Sequence, residues 1–178
     1  MLSSTWWLCL GMLAGFALGA WPTRAAQKRL KHADAQHAAR WQCVRDALRD
    51  MSSSDGRTAR VGVLTAAVQQ ATGLRAHWVE ASVTPWDQAC EQAPFFVEPH
   101  LVGMALRRQE MVSSVALAPL GWAWAYLPVW VSGRAEGVLV LAMSEGAGQN
   151  VCAQDLVCCE ILARHLAMCM AISNVANT

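Results

Sequence analysis

Seventeen consecutive residues, Thr5 to Trp21, carry no charge. This run, TWWLCLGMLAGFALGAW, constrains the chain more than anything that follows. About 17 apolar residues is the lower limit for a helix that spans the hydrocarbon core of a bilayer. A cleaved secretion signal carries positive charge ahead of its apolar segment. Here the preceding residues, MLSS, have none. The positive charges follow instead, at Arg24, Lys28, Arg29 and Lys31, and the first acid is Asp34. The positive-inside rule then places the C-terminal side in the cytoplasm. Leu18 also stands where a signal cleavage site wants a small residue before Ala20. Trp6, Trp7 and Trp21 bracket the run as interfacial residues do. The expectation is a retained single-pass anchor in a bacterial-type inner (plasma) membrane, with the N-terminus outside and the domain cytoplasmic. A cleaved signal and a buried soluble helix are the competing readings.

Within the run, Gly11, Gly15 and Gly19 stand four residues apart on one helix face. Small residues at that spacing let two helix backbones approach closely in lipid. The competing reading is that glycine is simply frequent in membrane helices.

The rest of the chain is apolar enough for a real core: hydrophobic residues make up 54% of the sequence and charged residues 15%. The net charge of +1 lacks the basic excess of a nucleic-acid binder, so no nucleic-acid partner is expected. Seven cysteines occur, an odd number, with no C-x-x-C pair. Cys158 and Cys159 are neighbours in a helical pattern and point about 100° apart, poor geometry for a mutual disulfide. The cysteines read as small buried packing residues in a reducing compartment, with no metal site.

Hydrophobic spacing predicts one long helix from Ala25 to about Met51, with Leu30, Ala33, His37, Trp41, Val44, Leu48 and Met51 on one stripe. Ser52 to Arg57 reads as a loop. A helix from about Thr58 ends at Gly73, and Leu74 to Val83 follows as a strand. Thr84 to Pro94 is irregular between Pro85 and Pro94, and Pro99 to Gln109 is a short helix. Strands are expected at Met111 to Leu117, Trp122 to Val131 and Ala135 to Met143, the last two joined by a hairpin at Ser132-Gly133-Arg134. A closing helix from Ala153 to about Val175 carries apolar residues on two sides.

This order, together with three segments, resembles the GAF family of PAS-related sensor domains. The segments are LVGMALRRQEMVSSVA from Leu101, AYLPVWVSGRAEGVLVLAMS from Ala125, and QDLVCCEILARHLAMCMAISN from Gln154. The resemblance covers roughly residues 40–175. It implies an α/β (α+β) fold, an antiparallel sheet flanked by helices, here preceded by a transmembrane helix and a helical connector. The expected layout is a tail at 1–4, the membrane helix at 5–22, the connector at 23–51, the domain at 52–175 and a tail at 176–178. The connector's end, from about residue 40, is expected to pack with the domain.

GAF domains use this fold to bind cyclic nucleotides, tetrapyrroles or other small molecules, or only to dimerise. The Asn-Lys-x-Asp-like signature of the cyclic-nucleotide binders is absent, and Cys90 is followed by Glu91 rather than the His of bilin attachment sites. One GAF family reduces free methionine sulfoxide with cysteines in and around the pocket. Only Cys90 falls in the corresponding region here.

A pocket in this fold would be lined by Trp78, Cys90, Phe95, Phe96, His100, Trp124 and Tyr126, although nine tryptophans in a small chain also have to be buried somewhere. No cofactor is expected, and an unidentified small molecule remains an open alternative. No G-x-S-x-G elbow, Walker loop or G-x-G-x-x-G occurs. Leu156, Cys159, Ala163, Leu166 and Met170 form a stripe expected to meet a second subunit or another helix. No output domain is expected after the closing helix, and a signal is expected to pass to a separate partner. The leading reading is a non-catalytic regulatory or sensory module acting through a membrane-protein partner or a homodimer, by way of the transmembrane and closing helices. The alternatives are a ligand-free structural accessory subunit of a membrane complex and a GAF-type redox enzyme resting on Cys90.

Overall fold

Helix α1 runs through Ser4–Ser53. The computed structural model describes residues 4–82, 86–115, 123–142 and 153–176, with side-chain surroundings from residue 26 onward apart from 87, 114, 115, 123 and 174–176. The packing expected of Gly11, Gly15 and Gly19 therefore lies outside the described residues. The chain divides into two compact units, Met1–Ala39 and Arg40–Thr178. In the first, residues 26–39 are helical and exposed on all sides.

In the second unit, α1 ends where three consecutive serines take over its last carbonyls. Ser52 donates to the Leu48 carbonyl at 2.8 Å, and Ser53 and Ser54 donate to that of Asp50. Serine hydroxyls compete with the helix ladder in this way, so the run favours termination. Helix α2, Arg57–Thr72, ends at Gly73, whose φ of 73° is the left-handed cap that glycine adopts without strain. Strand β1 follows, Arg75–Glu80. Trp86–Glu91 forms a short helix, α3, where the sequence predicts irregular chain. Six residues are too few to show a period, and α3 is held by tertiary contact rather than propensity. Helix α4, Pro99–Arg108, has proline in its first turn and Arg107 and Arg108 in its last, as expected.

Strands β2 (Val112–Val115), β3 (Ala123–Val131) and β4 (Arg134–Ala142) complete a four-stranded antiparallel sheet of order β1-β4-β3-β2. The β3–β4 hairpin turns on Ser132 (φ 49°) and Gly133 (φ 80°). Two successive left-handed residues match the twist of the flanking strands. The expected strand ends at 116–117, 122 and 143 lie outside the described residues.

Period-two alternation sends the two faces of the sheet to different cores. Leu127, Val129, Leu139 and Leu141 meet α2, the end of α1 and the closing helix α5, Ala153–Ala176. Val79, Tyr126, Val138 and Val140 meet α4 and the segment after α3. The helical layer is cross-linked by polar contacts. Arg40 pairs with Asp155 at 3.0 Å, and Arg60 donates to the Cys169 carbonyl at 2.8 Å. His165 Nε2 lies 3.0 Å from the Leu48 carbonyl.

The stripe Leu156, Cys159, Ala163, Leu166 and Met170 belongs to this layer. Cys159 and Leu166 are fully buried, Ala163 and Met170 are buried, and Leu156 is half-buried against them. Of the two covers expected for the stripe, a second subunit or another helix, the described residues supply the latter: the end of α1, α2 and the sheet of the same chain cover it. The stripe left outward on α5 is a different one. Val157 is 48% exposed, Met168 61% and Ile172 68%.

Candidate functional site

Most of the residues expected to line a pocket lie on the face of the sheet opposite α5. Four of the seven predicted lining residues, Cys90, Phe95, Trp124 and Tyr126, gather on this side. Tyr126 projects from the middle of β3 and is fully buried, and its hydroxyl accepts a hydrogen bond from the Glu98 amide at 3.3 Å. Burial pushes its phenol up from the ordinary value, against the pull of that backbone contact. Cys90, in α3, is 5% exposed in the same cluster.

The other three predicted residues lie elsewhere. His100 is exposed at the start of α4, with Nδ1 3.4 Å from the Glu98 carboxylate. Phe96 is 69% exposed beside the buried cluster rather than within it. Trp78 faces the helical layer, because it is out of phase with Val79 on β1. Its indole lies across Gly137 of β4, where a Cβ would meet Trp78 Cζ2 at 2.3 Å.

Sequence reasoning missed the residues that fasten this side. Arg75 and His77 share the Val79 face of β1. Arg75 donates to the Pro94 carbonyl and lies 5.0 Å over the Phe95 ring. His77 meets the same ring edge-on and has Nε2 3.3 Å from the Ala89 carbonyl. Burial holds the His77 imidazole below its usual value. Trp86, the first residue of α3, lies against α4 at Gly103, where a Cβ would come within 2.7 Å of its ring. The signal for Arg75 and His77 was present in the alternation of RAHWVE: once Val79 is inward on one face, both follow it.

Together these side chains fill the space between the sheet and α4. Val102, Ala105, Tyr126, Val138 and Val140 are each without solvent contact. Among the described residues, the Cys90–Pro99 segment forms a shallow hollow of about 370 Å³ at the edge of that core, including Phe95, Phe96 and Val97. A larger groove, about 460 Å³, lies on the other side of the molecule. It runs between α5 and the part of β3 that extends beyond β2, lined by Leu127, Val129, Leu156, Val157, Ala163 and Arg164.

Two thiols of the helical layer are raised above the ordinary value. Burial first, then the neighbouring Cys158 and Asp155, push Cys159 up to about 12, so it stays protonated at neutral pH. Cys43 is raised by burial and by Asp46, and its thiol donates to the Ala67 carbonyl. Among the described residues, no three His, Cys, Asp or Glu side chains come together as metal ligands. Ala153–Ser173 is the described stretch long and apolar enough to cross a membrane, yet it is the helix packed on the sheet.

No family model matches the sequence, and no curated protein matches it. Solved structures do. The GAF domain of an Acinetobacter phosphoenolpyruvate-protein phosphotransferase superimposes with a TM-score of 0.56 at 15% identity, over 76% of this chain and 94% of that one. A free methionine-R-sulfoxide reductase from Neisseria meningitidis, solved with its substrate, gives 0.59 at 17% identity, over 78% of this chain and 92% of that one. At such identities the likeness concerns fold alone, and the fold is GAF-like: a four-stranded antiparallel sheet flanked by helices.

Proposed function

We propose that this chain is a membrane-anchored GAF-fold interaction module that performs no chemistry of its own and acts by docking a partner protein along α5. One contrast carries the reading. Among the described residues, Tyr126, Val102, Val138 and Val140 are fully buried on the face of the sheet opposite α5, whereas α5 leaves Val157, Met168 and Ile172 exposed, with Val157 lining a groove of about 460 Å³. Large apolar side chains clustered on one face mark interaction surfaces more often than isolated ones do. The apolar run at Thr5–Trp21 and the basic residues after it support the anchor and the cytoplasmic side. A photo-crosslinking residue at position 168 of the membrane-embedded chain tests the reading. A discrete adduct at 168, absent when the probe sits at Ser132, is expected. Equal labelling at both positions would overturn it.

A reductase is the second reading, favoured by Cys90 beside the smaller hollow and by the fold of the Neisseria enzyme. Thiol-based sulfoxide reduction converts the attacking cysteine to a sulfenic acid, which a second thiol then reduces by forming a disulfide. Among the described cysteines, Cys43, Cys158, Cys159 and Cys169 pack in or against the helical core on the opposite face of the sheet. Thiol-dependent turnover of free methionine-R-sulfoxide by the wild type, lost in Cys90→Ser, would establish this reading in place of the first.

A further inference from the structure

We infer that the turn of α1 just beyond the apolar run is a binding surface for anionic lipid headgroups; this rests on the anchor reading above. Arg24, Lys28 and Lys31 stand at i, i+4 and i+7, which places them on one helix face, and Arg29 flanks it. Lys28, Arg29 and Lys31 are exposed, and none has an ion pair among the described residues. No acid occurs between Trp21 and Asp34.

Distance decides the partner. At about 1.5 Å per residue, Lys31 lies roughly 15 Å along the helix from Trp21, and Arg24 roughly 5 Å. The headgroup layer takes up roughly 6 Å of that on each side of the bilayer. All four cations thus fall within about one Debye length of the charged surface, roughly 8–10 Å at physiological salt. Their stems are long enough to reach back toward it. Asp34 and the acids after it lie farther out, where screening weakens repulsion. A cluster of basic residues beside a membrane helix recognises phosphate-bearing anionic lipids by charge rather than by a shaped pocket, so the preference extends over the class.

The test uses the full chain reconstituted in mixed bilayers of equal phosphatidylglycerol and phosphatidylethanolamine, followed by gentle extraction and quantification of the retained lipid. The wild type is expected to retain phosphatidylglycerol in severalfold excess. K28Q/R29Q/K31Q should bring that severalfold excess down to the bulk ratio. Added salt should have the same effect, while 10 mM inorganic phosphate should not. A wild-type ratio equal to bulk, or an unchanged ratio in the triple variant, overturns the inference while leaving the anchor standing. Loss of the preference with phosphate alone shows a free-anion site and overturns it too. A chain released from the membrane by an alkaline wash overturns the anchor, and the lipid contact with it.

Discussion

Gly137 gives the sharpest mechanical test of the fold. It lies in β4 opposite Glu80 of β1, and the indole of Trp78, two residues earlier, lies over it. In Gly137→Ala the new methyl would stand 2.3 Å from Trp78 Cζ2, 2.6 Å from Cε2 and 2.6 Å from the Val79 carbonyl oxygen. The indole is half-buried against the helical core and can yield only in part, and the carbonyl belongs to the sheet and cannot move aside. Overpacking of this kind costs about 3 kcal/mol, at the upper end of the usual range. With about 2.1 cal/mol/K of unfolding entropy per residue, a domain of roughly 140 residues should lose about 10 °C in Tm. Thermal melts of the full chain in detergent, followed by circular dichroism, measure this. Two other glycines calibrate the series. Gly103→Ala meets the edge of the Trp86 ring at 2.7 Å and the Arg107 side chain at an ordinary 3.5 Å, and should cost about 1–2 kcal/mol. Gly62→Ala meets nothing within 4 Å on an exposed turn of α2 and should gain about 0.5–1 kcal/mol. A G137A variant melting within about 2 °C of wild type would refute the placement of Trp78 among the helices.

Asp155→Ala removes one side of the Arg40–Asp155 pair, whose side chains are 26% and 11% exposed. After discounting for Arg40's solvent contact, the loss should be about 2 kcal/mol, read by urea denaturation, and R40M/D155A should lose less than the sum of the two single variants. His77 titrates below its unfolded value, so its contribution is intact above about pH 6.5 and is lost as pH falls through the folded value. Wild-type Tm should therefore drop more between pH 7.5 and 5.5 than that of His77→Gln; parallel drops would contradict the burial of this ring.

The fold was largely legible because its signals are local and redundant. Gly73, Pro99 and the Ser132-Gly133 turn each specify a helix end or hairpin by backbone geometry alone. Strand composition marked which stretches are strands and the turn marked that β3 and β4 pair, but the placing of β1 beside β4 came from the structure. What could not be read was which face of an element meets which neighbour. Leu156, Cys159, Ala163, Leu166 and Met170 form a clear stripe, but a stripe does not say whether a sheet or a second chain covers it. Trp78 was placed with the pocket by residue type, whereas its phase relative to Val79 sends it to the other side. The fastening by Arg75 and His77 depends on Phe95 and Pro94, about twenty residues away, and no local pattern reports such a contact. α3 was missed because its order comes from Trp86 seated on Gly103.

The central claim is that the exposed stripe of α5 is where this protein works. M168D/I172D tests it most directly, because both side chains are more than half exposed and neither belongs to the buried core. The account predicts that the double variant keeps its stability to within about 0.5 kcal/mol of wild type. It should also lose the higher-mass assembly formed by the wild-type chain when mildly solubilised membranes are run on a native gel. A double variant that still assembles at the wild-type mass, or a wild-type chain that runs as a bare monomer, would contradict it.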